Sequence, residues 1–161
     1  MKKIAIQGYK ASFHESAAQK YFGNDIQIQE CLTFQKLFDL MEQQEVPLAV
    51  MAIENSVAGS ILPNYARLRA SNLVIIGEVY IRISMNMMAL PGQSIEDIKE
   101  VHSHPIALLQ SHKFFREHPS IQIVESDDTA LSAKIISENK IAGRGALASK
   151  AAAEEYGLEI L

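Results

Sequence analysis

The stretch "PLAVMAIENSVAGSI", residues 47–61, shows how this chain is organised. Its first half is a continuous apolar run, which is typical of a strand that is covered on both faces of a sheet. Glu54, Asn55 and Ser56 follow in a row at the point where the apolar run stops. In open α/β sheets, ligands bind beyond the carboxyl ends of the strands. The stretch therefore predicts a buried strand that leads directly into a polar site.

Strand-like runs and helical patterns alternate on both sides of this stretch. Before it, "KIAIQG" predicts a strand, "HESAAQKYFG" predicts a helix that stops at Gly23, and "TFQKLFDLMEQQE" predicts an amphipathic helix. After it, "SILPNYARLRAS" predicts a helix with Pro63 in its first turn. The long run "NLVIIGEVYIRISMNMMAL" predicts one or two strands that cross between two lobes.

The alternation restarts in the second half of the chain. Three short runs predict strands, namely "EVHS", "IQIVE" and "KIAG", and three longer runs predict helices, namely "PIALLQSHKFFREH", "DTALSAKIISEN" and "ALASKAAAEEY". Such alternation predicts an α/β fold with mostly parallel sheets. The final "LEIL" begins like a strand, so we expect that a last element is missing from this chain.

Composition narrows the classes of function. The chain has 161 residues, of which 48% are apolar and 21% charged, so it can form one globular domain or two small lobes. Its net charge is −4 and it has no basic stripe, which argues against a nucleic-acid partner. Cys31 is its single cysteine, so no internal disulfide can form. Because no signal peptide or membrane span is evident, we expect a cytoplasmic protein with no membrane partner.

Polar groups occur at four predicted strand-to-helix junctions. They are Ser12, residues 54–56, residues 103–104 and residues 127–129. Helix capping explains any one of them, because Ser, Thr, Asn and Asp are the preferred N-cap residues. Residues 127–129 fit a plain cap best. Residues 54–56 fit it least, because a cap needs only one residue. In addition, a carboxylate beside a buried strand costs free energy unless it is hydrogen-bonded or takes part in the function.

Metal and nucleophile sites find little support. His102 and His104 form an H-x-H pair, but no third ligand with firm spacing accompanies it, so we predict no metal. No G-x-S-x-G elbow is present. The "GRG" at residues 143–145 is too short for a phosphate loop and predicts a tight turn with Arg144 exposed.

Four ordered motifs resemble the prephenate dehydratase family over essentially the whole chain. They are "IENSVAGS", "SHPIALLQ", "DTALSA" and "ALASKAAAEEYGLEIL". The opening "IQGYKASFHESAA" is similar to the family's glycine-plus-hydroxyl start, although Ala11 and Ser12 stand where the family usually has glycine and threonine. Ala52 stands where the family usually has proline.

This resemblance implies a fold and an activity. The fold is α/β, with two lobes of mostly parallel sheets and a cleft between them, similar to type II periplasmic binding proteins. The boundaries would be about 1–82 for lobe one and about 83–161 for lobe two. The activity is that of a lyase, which converts prephenate to phenylpyruvate with loss of carbon dioxide and water in L-phenylalanine biosynthesis. The resemblance implies no cofactor, a small-molecule substrate and a homo-oligomer, either a dimer or a tetramer.

The resemblance also implies the site residues. The family's catalytic positions map onto Glu54, Asn55, Ser103 and Gln110, and the further substrate-binding positions map onto Ser12, Ser56, Gly59 and Thr129. The family's catalytic Thr-Arg-Phe triplet and its regulatory ACT domain are absent from this sequence. We therefore expect the chain to be inactive or weakly active. The alternative is a non-catalytic domain of the same fold that binds small carboxylates.

Overall fold

The computed structural model describes residues 1–161 and divides them into two compact units, Met1–Arg82 and Ile83–Leu161. Unit 1 has a parallel sheet and a two-stranded hairpin, and unit 2 has a five-stranded mixed sheet. The predicted α/β class with mostly parallel sheets is confirmed. None of the helices has the length and the apolar character that crossing a bilayer requires.

Unit 1 is built around its first strand. The strands are β1 (Lys2–Gln7), β2 (Ile26–Cys31), β3 (Leu48–Val50), β4 (Glu54–Asn55) and β5 (Gly59–Ser60), and the helices are α1 (Phe13–Phe22), α2 (Phe34–Glu42) and α3 (Leu62–Ala70). The parallel sheet has the order β2-β1-β3. Ile4, Ala5 and Ile6 in the central strand are completely buried. β4 and β5 pair antiparallel as a separate hairpin.

Local capping explains the helix boundaries in unit 1. The Ser12 side chain accepts a hydrogen bond from the Glu15 backbone N–H at 3.3 Å, and the helix ends at Gly23, whose φ of 85° suits glycine. Thr33 begins the second helix in the same way, and Leu37 and Phe38 are buried on its inner face. These predicted helices are confirmed.

The strand predicted for the apolar run "PLAVMAI", residues 47–53, is shorter than expected. Only Leu48–Val50 pairs with β1, and all three residues are half-buried. The prediction of a long strand covered on both faces was wrong because β3 is an edge strand of a three-stranded sheet. Beyond Val50 no neighbouring strand continues the pairing, and the chain leaves the sheet toward the hairpin.

Unit 2 combines antiparallel and parallel pairing in one sheet. Its strands are β6 (Asn86–Ala89), β7 (Glu100–Ser103), β8 (Gln122–Glu125), β9 (Arg144–Ala148) and β10 (Glu159–Ile160), in the order β10-β6-β9-β7-β8. β7 runs parallel to β8 and β9, whereas β6 runs antiparallel to β9 and β10. Its helices are α4 (Pro105–Gln110), α5 (His112–Glu117), α6 (Thr129–Asn139) and α7 (Lys150–Tyr156), with a 3-10 turn at Ile95–Asp97.

Two strand predictions need correction. In the run at residues 72–90 only Asn86–Ala89 forms a strand, because residues 72–85 pair with no other strand. The predicted strand "KIAG" is displaced, and the observed strand is Arg144–Ala148. Packing explains this register, since a Cβ atom at Gly145 would lie 2.9 Å from Met87 Sδ and 3.3 Å from Val101 Cγ2.

The displaced strand changes two further predictions. Helix α7 begins at Lys150 rather than at residue 146, with Ser149 as its cap. Arg144 is not in an exposed turn, because it opens β9 and its Nε donates to Glu100 Oε1 at 2.6 Å. The helix predicted over residues 105–118 is two helices, which meet at Ser111.

Candidate functional site

The motif "IENSVAGS" forms the hairpin of unit 1. Glu54 lies opposite Ser60, and Asn55 lies opposite Gly59, whose φ of 78° fits the return of the chain. Asn55 Oδ1 accepts hydrogen bonds from the backbone N–H groups of Val57 at 2.8 Å and Ala58 at 3.0 Å. The carboxamide of Asn55 therefore organises the turn itself.

Glu54 does not adjoin a buried strand. Its side chain is exposed, and it lies four residues beyond the end of β3. The prediction that this carboxylate carries a burial cost was wrong, because the apolar run leaves the sheet before residue 54 is reached. Ser56 and Gly59 of the same hairpin are exposed as well.

Two side chains hold the backbone just before the hairpin. The Ala52 N–H donates to His14 Nε2 at 3.3 Å, and Asn64 Nδ2 donates to the Ala52 carbonyl at 2.8 Å. Next to it, the Ile61 N–H donates to the Ile53 carbonyl at 2.8 Å. Both polar groups of Ala52 are therefore satisfied by helices α1 and α3. The sequence analysis missed His14 and Asn64, whose only local signal is a polar residue within an apolar helix face.

Burial keeps His14 neutral. Desolvation lowers the pKa of His14 to about 4, so its Nε2 is an acceptor at neutral pH and the proton lies on Nδ1. Its ring also packs edge-on against Phe34, with ring centroids 5.7 Å apart. Neutral His14 is thus suited to receive the Ala52 N–H.

Ser12 follows the carboxyl end of β1 and is 3% exposed. It is the N-cap of α1, so the explanation by helix capping that the sequence analysis offered for this junction applies to Ser12. The preceding Ala11 has a left-handed backbone with φ 64°, and its N–H donates to the Glu15 carboxylate. In this structure the Ser12 hydroxyl therefore has a local hydrogen-bonding role.

Ser103 is the last residue of β7 and is completely buried. Its Oγ donates to the Leu147 carbonyl at 2.7 Å, and its own carbonyl accepts from the Ser126 N–H at 2.9 Å. The serine therefore ties the end of β7 to the neighbouring strand β9 and to the segment after β8. In this structure the hydroxyl proton of Ser103 lies in the hydrogen bond to the Leu147 carbonyl.

Gln110 and Thr129 lie at helix ends in unit 2. Gln110 is the last residue of α4, and Thr129 is the first residue of α6; both are half-buried. Asp128 caps α6 by accepting from the Leu131 N–H at 2.9 Å, which confirms the capping prediction for this cluster. Ser126 and Ser132, which the sequence analysis did not single out, bond to each other at 2.6 Å beside this cap.

The predicted site residues thus fall into two groups, one in each unit. Unit 1 holds Ser12 beyond β1 and brings Glu54, Asn55, Ser56 and Gly59 together in one hairpin beyond β3. Unit 2 holds Ser103 as the last residue of β7, Thr129 beyond β8, and Gln110 at the end of the helix that follows β7. Most of them therefore follow the carboxyl ends of parallel strands, where open α/β sheets bind ligands.

The two histidines of the H-x-H pair have different roles. His104 caps α4, and its Nδ1 accepts from the Ile106 N–H at 3.2 Å. His102 Nε2 lies 3.3 Å from Glu100 Oε1, and burial lowers the pKa of His102. The hydrogen bond from Arg144 holds the pKa of Glu100 below its usual value. No cluster of three His, Cys, Asp or Glu side chains in residues 1–161 could hold a metal ion.

Comparison with curated proteins gives consistent relatives. "Arogenate dehydratase 2" of Petunia hybrida is 40% identical over 159 residues, covering 99% of this chain and 40% of the relative. "Arogenate dehydratase/prephenate dehydratase 2, chloroplastic" of Arabidopsis thaliana is 38% identical over 159 residues, covering 99% of this chain and 41% of the relative. The chain therefore spans about two fifths of the length of these relatives.

Solved structures share the fold. A prephenate dehydratase of Arthrobacter aurescens in complex with L-Phe superimposes with a TM-score of 0.89 at 26% identity, covering 99% of this chain and 54% of the other. GqqA, described as a novel type of quorum quenching acylase, superimposes with a TM-score of 0.87 at 31% identity, covering 99% and 58%. The family model "Prephenate dehydratase" matches residues 4–161. Because the match runs through both units and includes every motif described above, the chain belongs to the prephenate dehydratase family.

Proposed function

We propose that this chain is the prephenate-binding and catalytic part of a prephenate dehydratase, which forms phenylpyruvate in L-phenylalanine biosynthesis. The observation that carries the proposal is the family match over residues 4–161, together with the intact "IENSVAGS" hairpin in unit 1. Both relatives are named for arogenate, and one is named for prephenate as well. Arogenate is therefore a second candidate substrate.

The reaction breaks two bonds that join substituents to one ring of the substrate. The bond from the ring to its carboxylate breaks, carbon dioxide leaves, and the electron pair enters the ring. The ring C–O bond opposite breaks, and the hydroxyl leaves as water after receiving a proton. Aromatisation makes the overall change favourable, so the protein's tasks are to orient the substrate and to assist the leaving hydroxyl.

In unit 1 we assign these tasks to the hairpin. Asn55 Oδ1 accepts hydrogen bonds from two backbone N–H groups, and we assign the contact of Asn55 with a substrate to the N–H groups on Nδ2. Glu54, whose exposed side chain lies beside Asn55 in the hairpin, either supplies a proton to the leaving hydroxyl or fixes Asn55 in place. Ser56 and Gly59 would hold a substrate carboxylate through hydroxyl and backbone N–H groups. Ser12 would contribute by shaping the turn beside α1.

In unit 2 we assign direct contacts to Gln110 and Thr129. Their amide and hydroxyl groups are half-buried, and they can orient the ring hydroxyl or the pyruvyl group and bind a carboxylate. Ser103 receives a different role. Because it is buried and donates to Leu147, we propose that it positions the strand ends of β7 and β9.

The decisive test is product formation from each substrate, with spontaneous acid-driven conversion subtracted. We expect phenylpyruvate from prephenate in this chain or in a longer natural chain that contains it. In an active chain, Asn55→Ala and Gln110→Ala should lower kcat/KM at least about tenfold. Normal kcat/KM in both variants would overturn the residue assignment, and a folded protein without turnover of either substrate would overturn the activity.

One observation favours binding without catalysis as a second candidate function. The Ser103 hydroxyl donates a hydrogen bond to the Leu147 carbonyl of β9, and the Ser12 hydroxyl caps helix α1. Two of the eight predicted site residues therefore have structural roles. A domain that binds small carboxylates needs only the remaining donors. Saturable binding of prephenate in calorimetry, without product formation, would establish this second function.

We also propose a cytoplasmic location and a homo-oligomer. The chain has a single cysteine, Cys31, which is buried and in no disulfide, and proteins of reducing compartments typically carry no disulfides. Fractionation of the natural host, with product formation assayed in each fraction, tests the location. Sedimentation of the protein tests the oligomeric state.

A further inference from the structure

The backbone just before the hairpin is held from two sides by side chains of two helices. The Ala52 N–H donates to His14 Nε2 of α1 at 3.3 Å, and the Ala52 carbonyl accepts from Asn64 Nδ2 of α3 at 2.8 Å. Asn64 is completely buried, and the ring of His14 packs edge-on against Phe34 of α2. Both partners are therefore fixed by the packing of unit 1, and Ala52 is the point at which the hairpin is anchored.

This anchor lies close to the hairpin residues that we assign to the substrate. Asn55 follows Ala52 by three positions, and between them the Ile53 carbonyl accepts from the Ile61 N–H at 2.8 Å, which closes the base of the hairpin. A displacement of Ala52 is therefore passed directly to the base of the hairpin and to Asn55. A shift of about 1 Å in a group that orients the substrate can reduce the rate about 100-fold.

We propose that His14 is a positioning residue for the hairpin, because its neutral ring accepts the Ala52 N–H and thereby holds Asn55 where it can contact the substrate. Asn64 does not duplicate this role, since it bonds to the carbonyl of Ala52 and not to its N–H. The effect of His14 on turnover rests on the function proposed above, whereas its effect on the hairpin does not.

The neutral state of His14 results from its environment. Burial lowers the pKa of His14 to about 4, and this shift does not come from the charges of Glu15 on the same helix, Lys36 on α2, Arg67 on α3 or Glu54 in the hairpin. When Nε2 gains a proton it becomes a donor, and it then faces the donor of Ala52. Protonation of His14 should therefore release the anchor.

NMR spectroscopy of the 161-residue chain tests the anchor and requires no turnover. The reporters are the backbone amide signals of Val57 and Ala58, which donate to Asn55 Oδ1. At pH 7 we expect His14→Leu to shift both signals, because the Ala52 N–H loses its acceptor. His14→Gln keeps an acceptor and should leave them near their original positions. The double variant His14→Leu/Ala52→Pro should also bring them back, because proline has no N–H.

A pH titration of the same signals isolates the protonation of His14. Between pH 7 and about 4, the Val57 and Ala58 signals of the unmodified chain should shift together with the signal of the His14 ring. The variant His14→Gln should lack this component. Glu54 is present in both proteins, so the difference between the two titrations reports His14 alone.

Measurements with prephenate connect the anchor to function. If the chain binds prephenate without turnover, His14→Leu should raise the dissociation constant about tenfold or more at pH 7, and Ala52→Pro in the same background should recover most of the loss. If the chain is active, kcat/KM should fall and recover in the same order. The control His118→Leu makes the same chemical change at the end of α5 in unit 2 and should alter neither quantity. Circular dichroism verifies that each variant is folded.

Two results would overturn the proposal. The first is a folded His14→Leu variant in which the Val57 and Ala58 signals do not move. The second is a loss of affinity or kcat/KM that Ala52→Pro does not relieve, because His14 would then act by a route other than the Ala52 N–H. A chain that neither binds nor converts prephenate would overturn the proposed function, whereas the amide signals would still decide whether His14 anchors the hairpin.

Discussion

Ala11 has a left-handed backbone, with φ 64°, between strand β1 and helix α1. A side chain with a Cβ atom is strained in this region by about 1 kcal/mol, whereas glycine is not. We expect Ala11→Gly to raise the free energy of unfolding by about 0.5–1 kcal/mol, measured by urea denaturation.

The matched control for Ala11 is Ala17, which lies within helix α1. There the same change to glycine should lower the free energy of unfolding by about 1 kcal/mol, because glycine is a poor helix former. If both substitutions were destabilising, the strain assigned to Ala11 would be wrong. The sequence analysis had already identified Ala11 as a departure from the family, which usually has glycine at this position.

His14 should make the protein sensitive to mild acid. Its pKa is about 4 in the folded chain and about 6.5 in the unfolded chain, so the unfolded state binds more protons between these values. The stability contributed by neutral His14 is complete above pH 6.5 and is lost as the pH falls toward 4. We expect a loss on the order of 2 kcal/mol over that interval.

His14→Gln isolates this contribution. Glutamine keeps an acceptor for the Ala52 N–H but does not titrate. Urea denaturation at several pH values from 4 to 7 should show a smaller loss of stability in the variant than in the unmodified chain. Equal pH dependence in the two proteins would mean that carboxylates alone cause the acid sensitivity.

At the scale of elements, the hairpin β4–β5 depends on two helices that hold Ala52. The Ala52 N–H has an acceptor in His14, so His14→Leu leaves that donor without a partner at a cost of about 1–3 kcal/mol. Proline has no N–H, and it is the residue that the family usually has at this position. We therefore expect His14→Leu to cost less in an Ala52→Pro background.

A double-mutant cycle measures this coupling. The four proteins are compared by urea denaturation, and a positive coupling free energy of about 1 kcal/mol is expected. Asn64→Ala serves as the companion variant, because it removes the donor to the Ala52 carbonyl and should be destabilising in both backgrounds. Strictly additive effects of His14→Leu and Ala52→Pro would contradict the role given to this hydrogen bond.

At the scale of the whole molecule, each unit has its own buried core. Ile4 is completely buried in β1 of unit 1, and Ile136 is completely buried in α6 of unit 2. Changing either to valine removes one methylene group and costs about 0.5–1.5 kcal/mol. We expect Ile4→Val to increase amide hydrogen exchange mainly in β1–β3, and Ile136→Val mainly in β6–β10.

Hydrogen exchange with mass spectrometry compares these two variants with the unmodified chain. The two substitutions are chemically identical, so any difference in pattern reports the unit in which they lie. If each variant exchanged faster throughout residues 1–161 to the same degree, the two cores would form one cooperative unit and the prediction would be wrong.

The family assignment also belongs to the whole molecule. The motifs quoted from the sequence extend from residue 6 to residue 161, and the family match covers residues 4–161. Apart from the hairpin "IENSVAGS", each motif adjoins a strand-to-helix junction, and such junctions repeat along an α/β chain. The family's fold class therefore followed from the same residues that carry the proposed site.

The sequence by itself determined the local features. Ser12, Thr33 and Asp128 begin helices and Gly157 ends one, because a cap bonds to groups within a few residues. The turn of "IENSVAGS" is local as well, because Asn55 Oδ1 accepts hydrogen bonds from the backbone N–H groups of Val57 and Ala58. These interactions need no knowledge of distant residues.

Only the tertiary structure decided which apolar runs became strands. Residues 51–53 and 72–85 have strand-like sequences but no neighbour with which to pair, whereas "RGALA" is a central strand because Gly145 lets Met87 approach. The hydrogen bond that holds the backbone before the hairpin could not be predicted from the sequence either. His14 lies 38 residues before Ala52, and a contact at that separation forms only when the chain folds. Strand pairing and burial are properties of neighbours in space, and these are set by packing rather than by local sequence.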